Sequence, residues 1–179
     1  MKIRTLMLTT AASVLAVGGL AAPVAAAPNS EKVLCYVFSS GTCLTDANGI
    51  TATVTAPGGG VALYVEKSNI ANKFVGDIRN VGYTVTGSQA ARFTFQTVGR
   101  GFVSVETATC NDGAGRTDVI NDGTCSVNFN DGSGSYANWA AFVAANPTLR
   151  SERANTPFIL LDTPGTATFS NVELGRPAK

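Results

Sequence analysis

Residues 50–55 read Ile-Thr-Ala-Thr-Val-Thr, an unbroken alternation of apolar and hydroxyl-bearing side chains. In extended chain successive side chains point to opposite faces, so Ile50, Ala52 and Val54 share one face and Thr51, Thr53 and Thr55 the other. A helix would scatter both sets around its axis. The same period recurs along the chain, in Val61, Leu63 and Val65, in Val81, Tyr83 and Val85, in Phe93 and Phe95, and in Cys125, Val127 and Phe129. Turn-forming residues stand between these runs, at Pro57 to Gly60, Gly87-Ser88, Gly99-Arg100-Gly101 and Pro164-Gly165. Short strands punctuated at this spacing predict an all-β, antiparallel sandwich with about nine or ten strands.

Two runs break the alternation. Residues 33–38 and 158–161 are apolar throughout, which predicts strands covered on both faces. Near the end, Ala167 and Phe169 give way to Val172 and Leu174, a change of phase that a bulge near Ser170 and Asn171 reconciles. Two short helices are expected. Trp139, Phe142 and Val143 fall at helical spacing before Asn146-Pro147, giving a helix over 138–145. Ile70, Phe74 and Ile78 lie four apart, although Gly76 interrupts them.

The N-terminus reads as an address rather than as fold. Lys2 and Arg4 precede an apolar run from Leu6 to Ala22 and then Ala25-Ala26-Ala27-Pro28. That is the three-part secretory signal, and the small residues predict cleavage after Ala26. The run is too short and too rich in Ala, Gly and Thr for a spanning helix. Removal of 26 of the 179 residues leaves 153, one domain's worth (residues 27–179). Loss of Lys2 and Arg4 leaves 11 of the 13 Lys and Arg against 12 Asp and Glu. A balanced chain without a basic patch predicts neither nucleic acid nor an anionic membrane as partner, and it is expected to be a secreted monomer. Four cysteines in an exported chain read as two disulfides. Of three pairings, Cys35–Cys43 and Cys110–Cys125 are favoured, because each brackets one turn-rich segment.

Candidate chemistry is sparse. Three Asn-Asp-Gly triplets, at 111–113, 121–123 and 130–132, read as successive turns. Asp112, Asp118, Asp122 and Asp131 also offer hard oxygens to a structural Ca²⁺, though without the spacing of an EF-hand; no other cofactor is indicated. The segment from Asp131 to Trp139 carries Asp131, Tyr136, Asn138 and Trp139, the ingredients of a sugar platform in which rings cover a pyranose face and polar groups bind its hydroxyls. The competing reading is that Trp139 and Phe142 anchor the short helix. There is no histidine, so a histidine-based triad is excluded. A glycosidase needs two facing carboxylates, and Glu66, Glu106, Asp162 and Glu173 are the strand-borne candidates. No catalytic residue is singled out.

Residues 156–175, TPFILLDTPGTATFSNVELG, resemble the closing strands of jelly-roll sandwiches in secreted bacterial proteins related to carbohydrate-binding modules. There an apolar penultimate strand passes through a glycine turn into a last strand ending in an Asn-Val-x-Leu pattern. The resemblance implies a jelly-roll-like sandwich and carries no ligand residue with it. The expected role is non-catalytic binding of a glycan or cell-surface component outside the cell. The alternatives are a carboxylate-dependent glycan hydrolase or lyase, and a secreted protein-binding factor.

Overall fold

A computed structural model describes residues 32–65, 68–110, 116–154 and 157–175. The expected leader, Glu66, Asp112 and the first Asn-Asp-Gly triplet lie outside the described residues. In chain order the strands are β1 (Val33–Phe38), β2 (Gly41–Asp46), β3 (Gly49–Val54), β4 (Gly60–Val65), β5 (Val81–Gly87) and β6 (Arg92–Thr97). They continue with β7 (Gly101–Glu106), β8 (Arg116–Asp118), β9 (Val127–Phe129), β10 (Ser135–Tyr136), β11 (Phe158–Leu161) and β12 (Gly165–Leu174). One helix, α1 (Trp139–Ala145), lies between β10 and β11.

Two antiparallel sheets form. One has the order β1-β4-β11-β6-β7-β9-β10 and the other β2-β3-β12-β5-β8. The chain changes sheet repeatedly, as at β3 to β4, β5 to β6 and β11 to β12, which gives the jelly-roll-like, all-β sandwich expected from the alternating runs. The apolar phase of each run points between the layers. Ala52, Val61, Leu63, Phe93, Phe95 and Ile159 are fully buried there. At β12 the register shifts between Ser170 and Glu173, with Asn171 at φ 50°, so the bulge sits where the phase change requires it.

Two disulfides staple the layers. Cys35 of β1 is bonded to Cys43 of β2, and these are edge strands of different sheets, so the bridge closes one side of the sandwich. Cys110 and Cys125 join the segments after β7 and before β9, buried in the core. No cysteine is left free, the state expected in an oxidising, extracellular environment. Among the described residues no helix is long and apolar enough to cross a membrane.

Of the two expected helices, the one over 138–145 forms as α1. The Asn138 side chain accepts from the Ala141 N–H at 2.9 Å and so caps its first turn. The stretch from Ile70 to Ile78 makes only a single 3₁₀ turn, Val75–Asp77. Asn72 there has φ 56°, a left-handed conformation that no helix tolerates, and Phe74 instead bridges to Arg150.

Candidate binding site on the outer face of the seven-stranded sheet

Strands β1 and β11 depart from expectation in a consequential way. Their inward residues meet the core, but their outward residues are not covered by any described element. Register fixes which side chains share that face. Tyr36 stands opposite Ala62, and Ala62 opposite Leu160. One step along, Leu34 stands opposite Tyr64, Tyr64 opposite Phe158, and Phe158 opposite Thr94. One step further, Phe102 stands opposite Gln96. Strands about 4.8 Å apart and same-face residues about 6.8 Å apart place Tyr36, Tyr64, Phe158 and Phe102 on a diagonal spanning roughly 20–25 Å.

The rings are arranged for contact. Tyr36 is 63% exposed and lies 6.3 Å, centroid to centroid, from Phe38. Phe38 is opposite Gly60, where an added Cβ would fall 2.0 Å from the ring's Cζ, so the absence of a side chain at Gly60 is what lets the ring lie down on the sheet. Tyr36, Phe38, Tyr64 and Phe158, with Ala62 and Leu160 between them, line an open groove of about 500 Å³. Phe102 and Phe158 meet edge to face across β6 at 6.3 Å. Thr94, in β6 between them, is only 2% exposed and shares a 3.0 Å hydroxyl pair with Ser104.

The other half of the same face is polar. Gln96, Asn128 and Ser135 occupy it, and the Ser135 hydroxyl donates to Asn128 Oδ1 at 2.6 Å. At its margin Arg92 forms a two-point ion pair with Asp162, with bonds of 2.9 and 2.5 Å. Glu106 stands directly opposite Arg92 on β7. Burial pushes the Glu106 carboxyl above its ordinary range, Arg92 works against that shift, and Asp162 adds to it. The structure thus brings two of the sequence-predicted carboxylates to either side of one guanidinium. Glu173 is elsewhere, ion-paired with Arg116 in the five-stranded sheet.

The residues singled out between Asp131 and Trp139 do different work. Trp139 is 3% exposed, with its ring against Phe95 at 5.9 Å and Phe142 at 5.3 Å, so neither residue is open to a sugar ring. Its indole N–H finds no hydrogen-bond partner among the described residues. Tyr136 is half-buried and packs on Phe142 and Phe129. Asn138 caps α1 and donates from Nδ2 to the Gly123 carbonyl at 3.1 Å. Asp131 is exposed and accepts the Ser133 N–H at 2.8 Å. Hydrogen bonding to Ser133 is the main reason its carboxyl lies below the usual range.

The aspartates of the Asn-Asp-Gly segments likewise serve their own turns. Asp118 accepts from the backbone of Ile120 and Asn121, and Asp122 from Thr124. Among the described residues no group of three acidic, cysteine or histidine side chains is placed to hold a metal ion. Asp112 lies outside those residues.

The aromatic diagonal was not singled out from sequence, although its signal is there. Two wholly apolar strand-length runs, β1 and β11, turn out to be neighbours of the one strand β4 in an antiparallel sheet. No family model, no curated protein and no solved structure matches this chain.

Proposed function

We propose that this is an exported, monomeric, non-catalytic module that binds a glycan chain on the outer face of its seven-stranded sheet. The observation that carries the reading is the diagonal of Tyr36, Tyr64, Phe158 and Phe102 beside a polar field of amides and hydroxyls. Rings offer apolar faces to the C–H side of sugar rings, and amide and hydroxyl groups match sugar hydroxyls. The length of the diagonal suits an oligosaccharide rather than a single sugar. The leader of residues 1–26 and the two disulfides support a place outside the cell. Two of the strand-borne carboxylates, Asp162 and Glu173, are each held in an ion pair, with Arg92 and Arg116, rather than facing one another, which favours binding over hydrolysis.

A second reading, a protein partner, is favoured by the almost wholly apolar lining of the groove. One experiment separates the two. The oxidised protein is applied to a glycan array and to insoluble polysaccharides, alongside Tyr36→Ala and Tyr64→Ala. Loss of one stacking ring weakens binding by about two- to thirteenfold if glycans are bound there, on the basis of about 0.5–1.5 kcal/mol per aromatic contact. Wild-type protein that retains no glycan defeats the reading.

A further inference from the structure

A second concavity lies at the β6–β7 turn and shares no lining residue with the aromatic groove. It has a volume of about 400 Å³ and is walled by Arg100 from the β6–β7 turn and Arg150 from the segment after α1, with Asn146, Thr148, Val98 and Leu149 between them. The two cationic segments are fastened together: the Val98 N–H donates to the Arg150 carbonyl at 2.9 Å, and Thr97 bridges antiparallel to Ser151.

Both guanidiniums are held in fixed planes. Arg100 lies over the Phe129 ring at 3.9 Å and donates to Asn146 Oδ1 at 3.1 Å and to Ser133 Oγ at 3.0 Å. Arg150 lies over the Phe74 ring at 3.8 Å, with one longer contact of 3.4 Å to Asn72 Oδ1. Stacking uses the flat face of a guanidinium and leaves donors on its edge. The ion pairs among the described residues are Arg92–Asp162 and Arg116–Glu173, so neither pocket arginine has a carboxylate within ion-pair distance. Arg100 acts electrostatically on Asp131, which is exposed and already engaged with Ser133. Two like charges walling one pocket repel each other, and an oxyanion between them removes that cost.

We propose that this pocket is a second binding site, for a carboxylate carried on a small polar ligand, with a uronic acid as the class that fits. The planar carboxylate matches the guanidinium edge, while the exposed Thr148 supplies a hydrogen-bonding group for a hydroxyl, and Asn146, buried and bonded to Arg100 and to the Phe142 carbonyl, holds the wall in place. This site shares no lining residue with the aromatic groove, and its ligand differs in charge from a neutral glycan.

The test is calorimetric titration of the oxidised, full-length secreted protein with glucuronate, with glucose as the neutral counterpart and with inorganic phosphate. Glucuronate is expected to bind and glucose to give no heat. Arg100→Gln and Arg150→Gln each weaken glucuronate by about tenfold or more, the scale of one charge-assisted hydrogen bond. Thr148→Glu, at an exposed position, places a carboxylate in the pocket and abolishes binding, with a melting temperature no lower than that of wild type. Tyr36→Ala leaves glucuronate affinity as it was. Glucuronate silent at millimolar concentration, affinity indifferent to Thr148→Glu, or phosphate binding in its place overturns the proposal.

Discussion

Phe102 and Phe158 touch edge to face, with ring centroids 6.3 Å apart, although their strands β7 and β11 are not neighbours. β6 runs between them, and the two rings close over its Thr94, whose hydroxyl pairs with Ser104 at 3.0 Å. The contact therefore roofs a polar pair that open sheet would expose to water. Phe102→Ala and Phe158→Ala should each lower stability. Their double-mutant cycle should give a coupling of about 0.5–1.5 kcal/mol by urea unfolding, the range of an aromatic pair. A coupling near zero means that the rings act independently.

Trp139 belongs to the core, between Phe95 and Phe142. Trp139→Ala should cost about 3–5 kcal/mol, as large-to-small core changes do, and lower the melting temperature sharply. Glycan affinity of the fraction that remains folded should match wild type. A selective loss of affinity at unchanged stability would instead return Trp139 to the site.

Glu106 titrates against the fold. Burial raises its folded-state carboxyl above the unfolded value near 4.5, so folding favours the protonated form. The stability it contributes is present at low pH and is lost as pH rises through the raised value. Glu106→Gln should accordingly be more stable than wild type at about pH 7, and the advantage should vanish at about pH 4. Unfolding curves at the two pH values check the sign. A variant less stable than wild type at neutral pH contradicts it.

Tyr83 is fully buried, and its hydroxyl lies 2.5 Å from Thr107 Oγ1. Burial holds the phenol far above its ordinary range, so it stays protonated throughout the accessible pH scale. Tyr83→Phe leaves the equally buried Thr107 hydroxyl without this partner, and should cost about 1–3 kcal/mol. Tyr83→Phe combined with Thr107→Val should recover much of that loss, because removing both polar groups leaves none unsatisfied. Guanidinium melts of the three proteins decide the point.

Cys35–Cys43 spans only eight residues but joins edge strands of different sheets. Replacing both by serine should cost about 2–3 kcal/mol on the chain-entropy account. Because Tyr36 follows Cys35 directly, the loss should loosen the aromatic face as well, read as faster amide exchange in β1 than in β12. Equal exchange in both strands separates the bridge from the binding face.

Period-2 alternation was enough to assign the sandwich, because side-chain direction in a strand is a local property that residues such as Ile50, Ala52 and Val54 carry themselves. The short helix over 138–145 and the phase change at Ser170 were legible for the same reason: helical spacing and bulging depend on a few nearby residues. The four cysteines announced staples, and short loop closure picked their partners correctly. Trp139 shows where local reading ends. An aromatic at the first position of a short helix has the same sequence whether it faces water or the core, and only packing against Phe95, from a strand more than forty residues away, decided for the core. β1 and β11 are the converse case. Their unbroken apolar runs suggested cover on both sides, yet strand order set both beside β4 and left one face bare. Which strands become neighbours, and what lies over them, depends on contacts between distant segments, so Tyr36, Tyr64, Phe158 and Phe102 became one surface only once the chain had folded.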